Sequence, residues 1–520
     1  MTTATTIMDP FETEYTINRE DDHDDNDGID MLSSSSAAAA AATRIGRRPF
    51  FFRYIPKYMR WDGYDSPIEA TGCAVDMYAR ATMYLVGIFV GPALLELASS
   101  QAEASCGTTN VGGGGDENDH EYTSCIDDAR VYGFKPSSLL TNMGMIASLF
   151  SALTLPPTGA IIDYTHYRRH LGMYTAVGST VIKLIELSLN QSTWFMVSCL
   201  QIVSGVLFQI HTTVVYAYSS ELSTETSAQS SYQTSFFIAM YISMLLFMVE
   251  VLIPGQIMDL STIGTAKLSI VVSCTNCIPL FCISWMYLFR NKPPIAPIPD
   301  DQSIWAAGFQ KLYHTYTDIA VEYRTVNVFL LTIAFSEAAN TALATIATTY
   351  LSQYLGFDGL EIGMVILMVL IAGVPGTTIG DFLTRRYDNP VVSVQICLVM
   401  YIVVTALASI FLRAGTPKIL AYIFGFLWGM CQGWMHPQHT TTFVTITPHQ
   451  EGKGETELMG LFLFATQILG FLPPLVFTVL NEAGYQMWLA LSTLIVYFVI
   501  GLIGQFAMGN YGKARRHANT

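Results

Sequence analysis

The stretch Leu489–Phe506 reads LALSTLIVYFVIGLIGQF and contains no charged residue. A helix needs about 20 predominantly apolar residues to cross a bilayer, so this stretch is long enough to span one. Roughly a dozen runs of about 18–25 apolar residues lie between Tyr78 and Met508. These runs lack the two-residue alternation that is typical of a barrel strand. The sequence therefore predicts an all-α polytopic membrane protein, because hydrocarbon requires every backbone polar group to be satisfied internally.

Composition supports this class and limits the partners. Charged residues make up 13% of the chain and hydrophobic residues 51%, whereas a soluble domain carries about 25% charged residues. Much of the net charge of −15 falls in the N-terminal tail and in the loop around 116–121. A nucleic-acid partner would need a basic face, and neither acidic patch provides one. The expected partners are the bilayer and a small polar solute, with protons as a candidate coupling ion.

The order of these segments predicts twelve transmembrane helices in two six-helix, pseudo-symmetric bundles. A proline-rich, polar connection follows the sixth apolar run and is typical of a linker. The predicted segments are an acidic disordered tail (1–45), a basic and aromatic juxtamembrane segment (46–77), an N-terminal bundle (78–290) with a non-cytosolic loop (100–137), a cytosolic linker (291–325), a C-terminal bundle (326–508) and a cytosolic tail (509–520).

Lysines and arginines predict the orientation. They are concentrated in alternate loops, which include the linker and both ends of the chain. Because basic loops stay in the cytosol, both termini and the linker are predicted to be cytosolic. Cys106 and Cys125 flank the acidic, glycine-rich loop on the other side, where disulfides persist, so we predict that they form a disulfide.

Two loops on the predicted cytosolic side resemble each other. The first is Gly159-Ala-Ile-Ile-Asp163 followed by Arg168 and Arg169, and the second is Gly376-Thr-Thr-Ile-Gly380-Asp381 followed by Arg385 and Arg386. Each joins the second and third helices of its half. A small residue lets helices approach closely, and a carboxylate at a helix end can hold a cation across a gap. The simpler alternative is that these are ordinary charges at helix ends.

Two copies of this loop at equivalent positions resemble the loop signature of the major facilitator superfamily. In that superfamily the loop latches the inner gate, which implies a gating role for both copies here. The second copy departs from the pattern, because Gly380 stands where the first copy has Asp163 and the acid is displaced by one position to Asp381.

Polar residues inside the apolar runs are the candidate binding or coupling residues. A charge in hydrocarbon is costly and usually faces a cavity or a partner. Glu337 and Asn340 are three residues apart and therefore share a face of the seventh helix. Imidazoles titrate near neutral pH and can relay protons, although a lone helix histidine is often a packing residue. Residues around His211 and His439 also repeat between the fourth and tenth helices. The candidates are Glu337, Asn340, Gln209, His211, His436 and His439.

The C-terminal part carries a narrower resemblance. Pro448, the segment Glu455-Thr-Glu457-Leu458-Met-Gly460-Leu461-Phe462 and Pro473-Pro474 look like the vacuole-effluxer family of autophagy-related amino-acid exporters. The segment Tyr218-Ser-Ser-Glu221-Leu222-Ser resembles the same family. The resemblance implies an amino-acid solute and a vacuolar or other endomembrane location.

The leading hypothesis is a secondary-active transporter that moves a small polar solute by alternating access. The alternative is a transporter-like receptor or scaffold that binds a solute or partner without net transport. An enzyme is not expected, because the sequence shows no nucleophile–base pair, zinc signature or nucleotide-binding loop. We accordingly expect no catalytic residue, metal or cofactor, and a monomer.

Overall fold

The computed structural model describes residues 68–107, 130–222, 226–294, 303–447 and 455–518, which are almost entirely helical. The helices of the first half are α1 (Ile68–Gly107), α2 (Leu139–Tyr164), α3 (Arg168–Glu186), α4 (Trp194–Ser220), α5 (Thr226–Ile257) and α6 (Thr262–Ile283). A connecting helix, α7 (Ile304–Glu322), follows. The second half contains α8 (Arg324–Thr349), α9 (Gly359–Tyr387), α10 (Pro390–Phe411), α11 (Ile419–Ile446), α12 (Glu455–Ile468), α13 (Leu472–Glu482), α14 (Met487–Ser492) and α15 (Leu494–Ala507). The last described helix is α16 (Tyr511–Ala518).

These helices make twelve membrane crossings. Among the described residues, ten runs are long and apolar enough to cross a membrane, and two of them combine short helices: α12 with α13, and α14 with α15. The other two crossings are α3 and α11, whose polar residues lower their mean hydropathy. The predicted all-α, six-plus-six architecture is therefore confirmed.

Several segment boundaries differ from the sequence prediction. Helix α1 begins at Ile68, upstream of the predicted start at Tyr78, and it continues to Gly107 into the predicted loop. The polar residues of its first turns are buried against other helices, which the apolar count alone did not reveal. The predicted linker contains α7, whose first turn is capped by Ser303 accepting from the Ala306 backbone N–H at 3.3 Å. The predicted C-terminal tail contains α16.

Glycines set the closest helix contact in the second half, between α9 and α11. A Cβ built on Gly376 would lie 2.0 Å from the Met430 carbonyl oxygen, and one on Gly433 would lie 2.2 Å from the Gly373 carbonyl oxygen. At these distances neither Gly376 nor Gly433 has room for a side chain. The two backbones therefore touch directly, as small residues allow in membrane helices.

Polar contacts join the two halves at one end of the bundle, opposite α7. Thr141 and Thr478 share a hydrogen bond of 2.7 Å between their hydroxyl oxygens. The Asn481 amide donates to Ser137 at 2.7 Å and to Ser138 at 2.8 Å. We call the α7 end the linker side and the other end the opposite side. The opposite side is thus held closed by side-chain hydrogen bonds between α2, or the turn before it, and α13.

Candidate functional site

Glu337 lies in the middle of α8 and is bonded to two histidines of α11. One carboxylate oxygen, Oε1, lies 2.7 Å from His439 Nδ1 and 3.3 Å from His436 Nδ1. The Glu337 residue is 3% exposed and His439 is fully buried, while the His436 side chain is about a third exposed, at 32%. The site is therefore a buried carboxylate with one imidazole open to the space between helices.

Asn340 and Tyr401 complete this cluster. Asn340 donates its amide N–H to the second Glu337 oxygen at 3.2 Å, and the Tyr401 hydroxyl donates to Asn340 Oδ1 at 2.6 Å. Within the described chain, His439 Nε2 is buried without a hydrogen-bond partner. Four of the predicted residues, Glu337, Asn340, His436 and His439, thus meet at one carboxylate.

A second carboxylate–imidazole pair lies in the first half. Asp76 on α1 is fully buried, and its Oδ1 accepts hydrogen bonds from His211 Nε2 at 2.9 Å and from the Trp285 indole N–H at 2.8 Å. The other His211 nitrogen lies 2.9 Å from the Thr175 hydroxyl. Gly172 makes room for the Trp285 ring, because a Cβ there would lie 2.0 Å from it. His211 is therefore held between α1, α3 and α6.

The two pairs occupy equivalent places in the two halves. In each, an acid on the first helix binds a histidine on the fourth helix, namely Asp76 with His211 and Glu337 with His439. The repeated sequence around these two histidines therefore corresponds to a repeated contact. Gln209 belongs to the same sequence repeat but bonds to neither pair, and its side chain is half-buried on α4.

On the linker side, the first gating loop makes three separate contacts. Asp163 Oδ2 lies 2.7 Å from Lys311 Nζ of α7. Arg168 binds Glu221 at the end of α4 at 2.7 Å, and Arg169 donates to the carbonyl oxygens of Trp285 and Met286 at 3.0 and 2.9 Å. The carboxylate thus pairs with a cation of α7.

Glu221 forms ion pairs with two cations on the linker side. It binds Arg168 and also Lys292, whose Nζ lies 2.7 Å from Oε2. Burial raises the pKa of the Glu221 carboxyl, but the Lys292 hydrogen bond and the Arg168 guanidinium outweigh burial and hold that pKa below its ordinary value.

The second gating loop is more open. Asp381 pairs with Arg385 one turn later on α9 at 2.9 Å, and both side chains are exposed, as is Arg386. Gly376 makes the close helix contact that the sequence predicted. Gly159 does not, because a Cβ there would meet no atom within 4 Å. The expectation of a close approach at Gly159 is therefore wrong: that glycine borders a cavity instead of a neighbouring backbone.

This cavity, of about 120 Å³, lies on the linker side between α2, α4, α7 and α12. Asp163, Lys311 and Tyr216 supply polar groups to a mostly apolar wall. The six predicted binding residues do not line it, so the cavity belongs to the gating contacts rather than to the Glu337 cluster.

Sequence reasoning missed Asp76, Arg80, Lys311 and Tyr401. Asp76 and Arg80 are spaced by four residues between apolar neighbours, and that spacing on one helix face was the available signal. Lys311 and Tyr401 meet their partners across 148 and 61 residues of sequence, and nothing local marks such contacts.

The predicted disulfide of Cys106 with Cys125 lies outside the described side chains and stays a prediction. Among the described residues, no cluster of His, Cys, Asp or Glu is arranged to hold a metal ion.

Solved structures with a similar fold are membrane transporters. A mutant of the nucleoside transporter NupG matches with a TM-score of 0.53 and 12% identity, covering 85% of this chain and 100% of that one. The transporter FucP in an outward conformation gives 0.52 and 11%, covering 85% and 98%. An inward-facing bacterial homologue of the human lysosomal transporter Spinster gives 0.51 and 11%, covering 86% and 97%. At these identities the likeness concerns the fold alone.

A search of curated proteins finds no match. The family model of the Major Facilitator Superfamily, in contrast, matches residues 80–474. That range includes both gating loops, the Glu337–His439 pair and His211. Asp76 lies four residues before it. Twelve helices in two halves and a family match over most of the length lead to one conclusion: the chain belongs to the Major Facilitator Superfamily of membrane transporters.

Proposed function

We propose that this protein is a secondary-active transporter that moves amino acids across an endomembrane by alternating access. The observation that carries the proposal is the buried Glu337 carboxylate, 2.7 Å from His439 and 3.3 Å from the partly exposed His436. A charge retained inside a membrane bundle marks a solute or proton pathway more often than a structural feature. Transporter sites typically lie near the midplane, where the repeats face each other.

Glu337 fits two roles in such a cycle. Its Oε1 accepts from two imidazoles, so a solute ammonium group can replace one of them as a donor to the same oxygen. A proton can also move between the carboxylate and the imidazole, because the two groups share a hydrogen bond. Either role requires the negative charge of Glu337. Both roles depend on the contact between Glu337 and its histidines. They differ in one respect: only proton transfer makes solute flux depend on the pH gradient.

The amino-acid substrate rests on the vacuole-effluxer resemblance around Glu455–Phe462 and on a carboxylate that suits an ammonium group. The same resemblance supports an endomembrane location. The distribution of basic residues supports cytosolic termini and a cytosolic linker. The similar structures include a nucleoside transporter, so nucleosides are the necessary comparison.

The test is flux in sealed vesicles that contain the purified full-length protein. A panel of amino acids is compared with nucleosides, each with and without a pH gradient. Saturable amino-acid flux supports the proposal. Flux of nucleosides without amino-acid flux would show that the substrate assignment is wrong. Solute binding without flux would indicate a receptor.

The site is tested with Glu337→Gln, which keeps the shape and removes the charge. We expect this variant to lose flux, or its pH dependence, while it still reaches the membrane. Glu250→Gln is the matched control, because Glu250 is an exposed glutamate on α5 that accepts a hydrogen bond from Asn276 of the same half at 2.7 Å. Wild-type flux and pH dependence in Glu337→Gln would remove Glu337 from the mechanism.

A further inference from the structure

The guanidinium of Arg80 is buried, and no carboxylate of the described residues is hydrogen-bonded to it. Arg80 is 5% exposed. Its hydrogen-bond and ring partners in the described part of the chain are neutral: the Thr212 hydroxyl, the Met77 sulfur, and the Phe208 ring, whose centroid lies 5.5 Å away. The nearest carboxylate oxygen, Asp76 Oδ2, is 3.9 Å from Arg80 Nε, beyond hydrogen-bond distance.

The hydrogen bonds of Asp76 are formed with residues other than Arg80. Its Oδ1 accepts from His211 and Trp285, and its Oδ2 is buried without a hydrogen-bond partner in the described chain. Asp76 therefore offsets the Arg80 charge through space but does not saturate the guanidinium. A guanidinium has five N–H donors in a planar fork that suits a carboxylate held by two parallel bonds.

Another buried cation of the same half shows what complete pairing looks like. Lys183 Nζ lies 3.1 and 3.3 Å from the two oxygens of Glu186 and 3.2 Å from Gln201 Oε1. A buried charge is costly unless its donors are used in this way. Unlike Lys183, Arg80 has no carboxylate at hydrogen-bond distance among the described residues, so its guanidinium can take up a carboxylate in addition to its present contacts.

Arg80 also lies on the face of α1 that opens into the bundle. Tyr84 and Gly87, one and two turns further along this face, are exposed on a helix that is otherwise mostly buried, with Tyr84 at 48%. Tyr84 packs on Phe208, the same ring that lies beneath Arg80, with ring centroids 5.7 Å apart. Since α1 is surrounded by α4, α5, α6 and α9, this open face borders space between helices.

We infer that Arg80 binds the carboxylate of the transported amino acid while the Glu337 site receives its ammonium group. This inference rests on the proposed function and narrows it to solutes that carry both charges. The two residues lie on the first helices of the two halves, the helices that carry the acids of the two carboxylate–imidazole pairs. A zwitterion held between them links the halves, so binding is coupled to their relative movement. Asp76 then acts as a positioning residue, which orients the Arg80 guanidinium and offsets its charge when the site is empty.

The experiment compares each amino acid with the amine that remains after its carboxylate is removed. The pairs are alanine with ethylamine, leucine with isoamylamine, tyrosine with tyramine and lysine with cadaverine. Competition for uptake is measured in vesicles that contain wild-type protein, Arg80→Gln or Arg80→Lys. The wild type should prefer the amino acid roughly 10- to 100-fold, as expected for a charge-assisted, two-bond contact.

Arg80→Gln should reduce this preference to about 3-fold or less, and Arg80→Lys should restore part of it, since an ammonium lacks the planar fork. A merely structural Arg80 would change abundance and flux but leave the ratio of amino acid to amine unaltered. An unchanged ratio in Arg80→Gln, or a wild type that accepts both members of each pair equally, overturns the inference.

Loss of folding is controlled with two double variants. Asp76→Asn with Arg80→Gln and Lys183→Gln with Glu186→Gln each remove one buried cation and one buried carboxylate from the same half. Only Asp76→Asn with Arg80→Gln should abolish the preference for the amino acid over its amine. Amino-acid flux with an unaltered ratio would refute the role of Arg80 alone, whereas a wild type that neither binds nor moves any amino acid would refute the proposed function as well.

Discussion

Buried carboxylates of this protein are bonded to histidines in both halves, and this pairing suits a membrane interior. Each imidazole can donate an N–H to the acid, and a buried carboxylate needs such donors because an unpaired buried charge is costly. The chemistry of Glu337, His436 and His439 could be predicted from sequence, because polar residues in apolar runs are conspicuous. Their convergence on one oxygen could not, since Glu337 and His439 are 102 residues apart.

Glu221 allows a pH prediction on the linker side. The folded-state pKa of its carboxyl is lowered, so its ion pairs with Arg168 and Lys292 stabilise the protein above the ordinary carboxyl pKa. This stabilisation is lost as the pH falls through the lowered folded-state value. We expect Glu221→Gln to cost about 1 kcal/mol at neutral pH, since the pair is partly exposed.

Thermal unfolding of the purified protein at several pH values measures this effect. The difference between wild type and Glu221→Gln should shrink in acid. Asp388→Asn is the control, because Asp388 is largely exposed and its Arg515 contact is 3.5 Å long. A difference that grows with acidity would contradict the assigned direction.

Among the elements, α7 departs most from the sequence expectation. Proline-rich composition predicted a linker, but α7 packs on α2 so closely that a Cβ on Gly308 would lie 2.4 Å from the Pro156 carbonyl oxygen. Its Lys311 pairs with Asp163 of the first gating loop. The helix that connects the halves is therefore attached to the loop expected to gate them.

Removing this attachment should alter cycling more than folding. The pair is partly exposed and contributes about 1 kcal/mol, which corresponds to roughly five-fold in an equilibrium between gate states. We expect Asp163→Asn to lower flux by about that factor with near-normal abundance. Exchange of the charges, Asp163→Lys with Lys311→Asp, should recover part of the flux. Asp381→Asn is the comparison, because Asp381 forms its ion pair with Arg385 of its own helix. Equal flux in all variants would show that Asp163 is an ordinary helix-end charge without a gating role.

The contact between α9 and α11 gives a stability prediction. Gly433→Ala places a Cβ 2.2 Å from a backbone oxygen, so the helices must separate. Overpacking of this kind costs about 1–3 kcal/mol. We expect a lower melting temperature and less folded protein in the membrane.

Gly159→Ala is the matched variant for this test. Gly159 also lies inside a helix, but it has open space at its Cβ position, so alanine should be neutral or slightly stabilising there. If both variants melted alike, the glycine packing of α9 and α11 would not matter for stability.

For the molecule as a whole, alternating access requires the opposite side to open. In this structure Thr141 and Thr478 hold it closed, with their hydroxyl oxygens 2.7 Å apart. The double variant Thr141→Cys with Thr478→Cys should cross-link under oxidation and lose flux. Reductant should restore flux, and neither single variant should respond. Undiminished flux in the cross-linked protein would show that the halves do not separate there.

The sequence by itself determined the membrane class, the twelve crossings and the two-half organisation. Each of these depends on the length and apolar content of single segments, which hydrocarbon constrains strongly. The candidate acid and histidines of the second half were also visible, because a polar residue in an apolar run is locally exceptional.

Only the tertiary structure decided which of these groups meet. It buried Asp76 against His211, gave Arg80 no hydrogen-bonded acid among the described residues, and docked α7 on Asp163. These contacts join helices distant in sequence and depend on side-chain packing at helix crossings. Such packing is set by the shapes of both partners, and neither helix alone encodes it.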